Sequence, residues 1–464
     1  MSCNQVPLLA LNTILVFAAW VLSWDGRSFG VPYISDDGEL YFNHDDLHVV
    51  HSKEEIVAVI KRAHDEHLKI RVLGSGHSWS PVATSDGLIM SLYHYHGLVS
   101  HDMEKKQVTL RGGTTLAEMN GILDGLGLGL SNLPSISAQT IAGTIATATH
   151  GTGIKFGNLA TFVTSFELVT GTGEIIKVSP DQNTDIFKAG LVSIGLLGVV
   201  TEVTLQCEDA FNLREVREPK TVEQCLAEMP TIITRSEHVK YWIEYHSNTC
   251  AVYEVNRTTE EPRDNVPQAL LDFMMHISNF FQWIMSVIPP STPYLMKALI
   301  GTGVVFPPHT RVDHSPNVFN IPHRVDGHPE TEIAIDVKDC VAGIKTLLQM
   351  IKEDNIPVNH IIEVRFVKSD NIWLSPNYQR DSCHITQLLY SPSEEVKHKY
   401  FKKFHHTMEQ FNGRPHWGKE FGVTVKQLKK LYPKFVDFLA VRRKIDPDGI
   451  FVNLFLNQQL GLKY

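Results

Sequence analysis

The sequence predicts an α+β protein of two domains, and three observations carry that prediction. The chain has 464 residues, more than one hydrophobic core ordinarily organises. Residues 45–207 mix short β-branched runs, amphipathic helices and glycine turns at close spacing. After about residue 210 the texture changes: "KYWIEYHS" and "CAVYEV" alternate apolar with polar residues, and amphipathic helices such as "DCVAGIKTLLQMIKED" (339–354) follow. That second pattern fits an antiparallel sheet covered by helices. The composition, 43% hydrophobic and 20% charged, is that of an ordinary globular protein. A net charge of −9 without any lysine- or arginine-rich run argues against a nucleic-acid surface.

Taken in order, the chain opens on "VPLLALNTILVFAAWVLSW" (6–24), apolar except for Asn12, Thr13 and Ser23. Its length suits a signal-anchor helix or a long signal-peptide core, within a leader at 1–25; a buried N-terminal helix is the other reading. The secretory reading gives the sequon Asn256-Arg257-Thr258 a meaning as a glycan acceptor. Ser52 and Glu55 form the S-x-x-E signature of a helix start, and Ile56, Val59, Ile60 and Ala63 then recur at helical spacing. "KIRVL" (69–73), "LIMSL" (88–92) and "QVTLRGG" (107–113) read as strands. A helix at 115–126 follows, with Thr114 as its cap, and "FELVTGTGEIIKV" (166–178) reads as a hairpin. "VSIGLLGVVTEVTLQC" (192–207) is a glycine-broken loop running into a strand. A second apolar stretch, 269–306, is interrupted by Pro289 and Pro290. It fits an interfacial membrane hairpin or two core helices around a Pro-Pro turn. The six cysteines stand far apart without a C-x-x-C pair, which excludes a zinc ribbon and leaves scattered packing thiols.

Two loops are built to hold a ligand. The first, "GSGHSWSP" (74–81), follows a strand. Gly74 and Gly76 supply two positions of a dinucleotide fingerprint, but the third is Trp79, too large for close helix–strand packing. No phosphate-binding G-x-x-x-x-G-K-[ST] exists either. The second loop, "NLPSISAQTIAGTIATATHGTG" (132–153), is small and nearly uncharged. Such residues let backbone approach an extended ligand; alone, the loop also fits a close-packed buried strand pair. His77 breaks the first loop, and His94, His96 and His101 lie near it. Their Y-H-Y-H alternation comes without acidic or cysteine partners, so no metal site is expected.

Three stretches in order, "RVLGSGHSWSP", "NLPSISAQTIAGTIATATHGTG" and "GRPHWGK" (413–419), together with "IIEVRFVKSDNIWLSPNYQRDSC" (361–383), resemble the vanillyl-alcohol-oxidase type of FAD-linked oxidases. Among these the likeness is to the sugar-1,4-lactone oxidases, over about residues 30–456. The resemblance implies a two-domain α+β flavoprotein: a PCMH-type FAD-binding domain at 35–207 and an antiparallel-sheet-plus-helices substrate domain at 208–440. A tail at 441–464 would return to the first domain. It also implies an FAD bound covalently through His77, and further cofactor contacts from Gly74, Ser75, Gly76, Ser78, Ser135, Thr140, Gly143, Thr144, Ile145, Ala146, Val199 and His416.

From the residues alone, Glu363 and Arg365 lie two apart on a strand and so share one face, as either a structural ion pair or a catalytic one. The resemblance implies the catalytic role. Arg365 and Lys419 would stabilise developing negative charge while Glu363 orients or deprotonates a substrate hydroxyl. Ser135 and Thr386 (or its neighbour Gln387) would add substrate hydrogen bonds. Pro134 stands where relatives carry Gly or Ala, a position linked to oxygen access. The implied reaction oxidises C2 of an aldono-1,4-lactone, L-gulono-1,4-lactone foremost, with O2 as acceptor, giving ascorbate and H2O2. A galactono- or arabinono-lactone enzyme, a dehydrogenase using another acceptor, and a non-catalytic flavin- or carbohydrate-binding protein are the alternatives. The expected location is the endoplasmic reticulum membrane or lumen, with membrane contact through 6–24 and 269–306; a mitochondrial site is the alternative.

Overall fold

The computed structural model describes residues 47–264, 266, 268–301, 306–320, 328–390 and 392–462; the apolar segment 6–24 lies outside the described residues. The first half opens on β1 (Leu47–Val49), α1 (Lys53–Asp65), β2 (Ile70–Leu73) and β3 (Leu88–Ser91). These strands form a small parallel sheet in the order β1-β3-β2. The Ser52 side chain caps α1 by accepting from the Glu55 N–H, while the Glu55 carboxylate takes the His51 N–H. Then come β4 (Leu98–Asp102), β5 (Gln107–Arg111), α2 (Leu116–Gly125), α3 (Ile141–Ala146), β6 (Val163–Val169), β7 (Ile175–Val178) and β8 (Val199–Gln206). Their strands make an antiparallel sheet in the order β4-β5-β8-β6-β7. The cap of α2 is Thr115, not Thr114; the Thr114 hydroxyl instead accepts the Gly97 N–H. The turn at 93–97 is not a strand, and the fold brings Glu118 of α2 to His96 (2.8 Å), so that histidine does have an acidic partner.

The second half is one antiparallel sheet of nine strands. They are β9 (Asn212–Thr221), β10 (His238–Glu244), β11 (Thr249–Thr258), β12 (Arg263–Asp264), β13 (His309–His314), β14 (Glu330–Asp336), β15 (Ile362–Val367), β16 (Ser382–Leu388) and β17 (Arg414–Pro415). The spatial order is β12-β13-β9-β11-β10-β15-β16-β14-β17. Alternation gives this sheet two unlike faces. Tyr241, Ile243, Val252, Ile333, Ile335, Val364, Phe366 and Ile385 make the apolar face. It is covered by α4 (Val222–Arg235), α7 (Cys340–Glu353) and α8 (Glu394–Glu409). The opposite face is polar and turns toward the first half.

Two of those covering helices are stitched to the sheet. Cys225 of α4 pairs with Cys250 of β11, and Cys340 of α7 with Cys383 of β16. This corrects the reading of the cysteines as packing thiols. Packing each helix on the apolar face brings together residues 25 and 43 positions apart, a proximity that spacing cannot reveal. Closing such loops stabilises the fold by about 3–4 kcal/mol each in the chain-entropy model. Cys207 alone among the described residues is a free thiol, and burial pushes it up to about 12, so it stays unreactive.

The chain returns to the first apolar core upstream of residue 441: Trp417, Tyr432, Phe435 and Phe438 pack there with Leu456 and Leu460. Arg71 of β2 secures this return. Its buried guanidinium donates to the carbonyls of Ile194 (2.7 Å), Gly195 (3.0 Å) and Phe451 (2.7 Å), joining strand, loop and tail at one point.

The stretch 269–306 is a helical pair, α5 (Gln268–Val287) and α6 (Thr292–Gly301), joined by a turn at Pro289–Ser291. Met285, Met296 and Leu299 pack between the two helices. Phe280, Trp283, Val287, Ile288 and Tyr294 are exposed, Tyr294 by 78%. No described helix is long and apolar enough to cross a membrane.

Candidate active site

The two small-residue loops line one cleft. Gly74 to Ser80 form one wall, and Gln139, Thr140, Gly143, Thr144, Ala146, Thr147 and Thr149 another; Ser193, Ile194, Gly195 and Val200 close the end. The cleft encloses about 1390 Å³ of empty space, open mouth included. Two walls of small residues suit an extended ligand such as a dinucleotide. Glycine is required where the loops meet: a Cβ on Gly74 would stand 2.6 Å from the Thr140 hydroxyl, and Gly76 has φ +73°. A cleft walled by glycine, serine and threonine, too tight at Gly74 for a Cβ, fits FAD, and His77 lies on its wall.

Backbone contacts fasten this cleft to the rest of the site. Trp79 N–H donates to the Gly418 carbonyl (2.9 Å) and the Ser80 hydroxyl to that of Trp417 (3.1 Å), drawing the "HWGK" loop against the first loop. Gly153 N–H donates to the Phe366 carbonyl (2.7 Å), and the Thr152 hydroxyl to that of Val239. The second loop is thereby docked on the nine-stranded sheet, beside β15 and β10.

The sheet's polar face meets the second loop there. Register puts Lys240 opposite Arg365, Trp242 opposite Glu363, and both of these opposite His384 and Thr386; Glu332 follows opposite Thr386. Arg365 Nη2 donates to Glu363 Oε2 (2.5 Å) and to Ser135 Oγ (3.2 Å), and Trp242 Nε1 donates to Glu363 Oε1 (2.9 Å). Burial pushes the Glu363 carboxyl up, but Arg365, Lys240 and these hydrogen bonds outweigh it and hold Glu363 below the usual range. The site therefore presents an ionised carboxylate and a guanidinium in fixed geometry.

Behind them lies a fully buried cluster that sequence reasoning missed. Glu332 Oε1 takes His384 Nδ1–H (2.7 Å) and faces His150 Nε2 (2.7 Å), and Oε2 takes the Thr386 hydroxyl (2.9 Å). His150 Nδ1 faces the Gly151 carbonyl oxygen (2.8 Å). His384 Nε2 meets the Asn377 amide (2.8 Å), and His416 Nδ1 accepts the Gly418 N–H (3.1 Å). Burial pushes Glu332 up, yet His150, His416 and the hydrogen bonds leave it well below the carboxylate range. His150, Glu332 and His416 stand close enough to share an ion, and these hydrogen bonds account for the grouping. The signal was the "E-T-E-I-A" alternation of β14, which sets Glu330 and Glu332 on one face.

The sequence-derived residues divide into three groups. Gly74, Ser75, Gly76, His77, Ser78, Thr140, Gly143, Thr144 and Ala146 line the cleft. Glu363, Arg365 and Ser135 are joined by hydrogen bonds. The remaining residues lie neither on the cleft wall nor in that hydrogen-bonded trio. Val199 and Ile145 are buried in apolar clusters: strand alternation turns Val200, not Val199, to the cleft, and Ile145 is on the core side of α3. Of the pair Thr386 and Gln387, Thr386 faces the site; Gln387 is on the other face, against the Tyr400 hydroxyl. Lys419 forms an ion pair with Glu330, which also meets His328 Nε2 (2.9 Å). Pro134 is buried, and its carbonyl accepts from Asn320 (2.8 Å). Asn256 lies in β11 with its side-chain oxygen taken by the Glu237 N–H (2.9 Å).

Residues 203–459 match the family model of D-arabinono-1,4-lactone oxidase, and residues 47–179 that of an FAD binding domain. An L-gulonolactone oxidase of Bos taurus is 32% identical over 88% of this chain and 93% of its own. An L-gulono-1,4-lactone dehydrogenase of Mycobacterium tuberculosis is 29% identical over 88% of this chain and 94% of its own. A cholesterol oxidase from Brevibacterium sterolicum shares the fold, with a TM-score of 0.71 over 89% of this chain and 94% of its own at 17% identity.

The buried histidines make stability acid-sensitive. Burial holds His360 and His384 down to about 3 and His416 down to about 4, against 6.5 for the free side chain. Each is lowered on folding, so the stability it contributes is complete above pH 6.5 and is lost as pH falls toward 4, by about 1.4 kcal/mol per histidine per pH unit. Glu332 and Glu363, also lowered, lose theirs only below about pH 4.5. Urea unfolding midpoints are expected to fall steeply between pH 6.5 and 5, and less steeply in a His384→Asn variant. A flat profile over that interval contradicts neutral buried histidines.

Proposed function

The chain belongs to the D-arabinono-1,4-lactone oxidase family of FAD-linked oxidoreductases, and we propose that it oxidises the C2 hydroxyl of an aldono-1,4-lactone, L-gulono-1,4-lactone foremost, with O2 as acceptor. The observation that carries this reading is the Glu363–Arg365–Ser135 assembly, which joins the second small-residue loop to the sheet. Bound in the cleft, FAD supplies the hydride acceptor, and its reoxidation by O2 yields H2O2. The protein's part is to hold the lactone and move one proton. Ser135 Oγ accepts from Arg365, which leaves its O–H to donate to a substrate oxygen. Thr386 donates to Glu332, which leaves its oxygen to accept from a substrate hydroxyl. Glu363, ionised, takes the proton of the C2 hydroxyl, while Arg365 and Lys419 stabilise the developing alkoxide charge. A binding module would not need these charges buried together. The initial product, a 2-keto lactone, enolises to ascorbate when the substrate is the L-gulono form.

His77, on the cleft wall, is the proposed tether, joined to the 8α carbon of the flavin. Pro134, compact and buried beside Ser135, is proposed to leave oxygen a path to the flavin. Anaerobic mixing with L-gulonolactone should bleach the flavin, and air should restore its colour rapidly. Slow recovery would instead favour a dehydrogenase, as the mycobacterial relative is named, and no bleaching by any aldonolactone would contradict the reading. Acid-precipitated protein should remain yellow, with the flavin mass on the peptide containing His77, and a His77→Ala variant should release its flavin on precipitation. A colourless wild-type precipitate contradicts the tether.

The disulfides support an oxidising compartment, in keeping with an endoplasmic reticulum location. The exposed face of α5 and α6, with Phe280, Trp283, Ile288 and Tyr294, supports contact with a membrane surface. Replacing Phe280 and Trp283 by Ser in the full chain should lower the fraction floating with phosphatidylcholine vesicles at high salt about tenfold. Unchanged flotation would leave no role for this face.

A further inference from the structure

The polar face of the sheet extends past Arg365 to a second set of cations for which the reaction described above has no use. Lys240 of β10 lies directly across from Arg365, and like charges in that position repel. Its side chain is buried, with 8% of the residue exposed. The ammonium sits over the rings of Tyr253 (4.6 Å) and Trp242 (5.1 Å). Among the described residues no carboxylate comes within ion-pair distance of it: Glu215 is taken by Arg311 (3.1 Å) and Glu363 by Arg365. On the far side of the Tyr253 ring, Arg217 stands 5.7 Å from the centroid, and its buried Nη2 has no partner. Four cations, Arg217, Arg311, Lys240 and Arg365, thus face two carboxylates, an excess of positive charge in a water-poor setting.

This charge borders a space. A small cavity is lined by Lys240, Arg365 and Ser135 together with Glu215, His238 and Phe319. Lys240 therefore shares a cavity with the two residues placed at the substrate, and brings a buried donor that protein groups do not satisfy. An unpaired ammonium is costly to bury, and the cost falls when an electron-rich ligand group arrives.

We propose that Lys240 binds the carboxyl end of the substrate, its ammonium donating to the C1 carbonyl oxygen of the lactone, the atom adjacent to the C2 that is oxidised. This inference rests on the aldonolactone reading. Oxidation at C2 conjugates the new carbonyl with C1 and shifts electron density onto that oxygen on enolisation, so a cation there assists both binding and product formation. The same site takes the free aldonate anion, whose carboxylate presents a full charge where the lactone presents a dipole. Arg365 and Lys240 would then hold neighbouring oxygens, O2 and O1, of one ligand, which explains why two cations are placed side by side.

The test compares wild-type holoenzyme with Lys240→Met and Lys240→Arg, using retained flavin absorbance as the measure of folding. L-Gulonate titrated into oxidised enzyme should perturb the flavin spectrum. Loss of a charge-assisted hydrogen bond should weaken that binding about ten- to hundredfold in Lys240→Met. KM for the lactone should rise by a similar factor with a smaller fall in kcat, and Lys240→Arg should recover both to within about threefold. If Lys240→Met binds gulonate and lactone as wild type does, or if Lys240→Arg is no better than Lys240→Met, Lys240 is a structural cation only. If wild type is bleached by no aldonolactone yet loses gulonate binding on Lys240→Met, the substrate reading fails while the anion site stands.

Discussion

The charged groups assigned to the substrate depend on the two-residue repeat of one antiparallel sheet. Each strand from β9 to β16 sends alternate residues to opposite faces, and the register carries that division across strands. One face buries aliphatic and aromatic side chains against three helices and provides the second core. The other collects Lys240, Glu363, Arg365, His384, Thr386 and Glu332 in a row and turns them toward the first half, where Arg365 meets Ser135 and Glu332 meets His150. A one-residue slip in β15 alone would bury Glu363 and Arg365 in the apolar core and set Val364 in the site.

A row of buried charges is stable only if each charge is answered. Most are: Glu363 by Arg365 and Trp242, Glu332 by two histidines and a threonine, Glu330 by Lys419 and His328. These contacts also fix geometry. Glu332 sets the rotation of His384 and Thr386, and the docking of Thr152 and Gly153 on β10 and β15 places Ser135 against Arg365. The site is consequently assembled before substrate arrives, as low reorganisation at the reacting atoms requires. Lys240 is the exception, answered among the described residues by aromatic rings alone, and an unanswered charge on a prepared surface is where a ligand is expected.

Much of this was legible in the sequence because it is local. The two small-residue loops, the Glu363-x-Arg365 spacing, the capping of α1 and the change of texture near residue 210 all express short-range rules of turn, strand and helix. What escaped is what only the register or the packing brings together. Glu332 and Lys240 are unremarkable on their own strands and acquire meaning by standing opposite Thr386 and Arg365. Cys225 and Cys250 pair because a helix lies on the sheet, and His96 finds Glu118 for the same kind of reason. Val199 and Val200 could not be told apart because a loop motif does not say which way the following strand begins its alternation.

In the proposed reaction the fork of Arg365, held on Glu363 and Ser135, orients the substrate for oxidation. Replacing Arg365 by Lys keeps the charge and removes the fork. The most direct measurement is the rate of anaerobic flavin reduction by saturating lactone in Arg365→Lys, with the oxidised flavin spectrum as the check that the cleft is intact. A fall of about a hundredfold or more with an unchanged spectrum is expected. Reduction at the wild-type rate would rule out that role for Arg365.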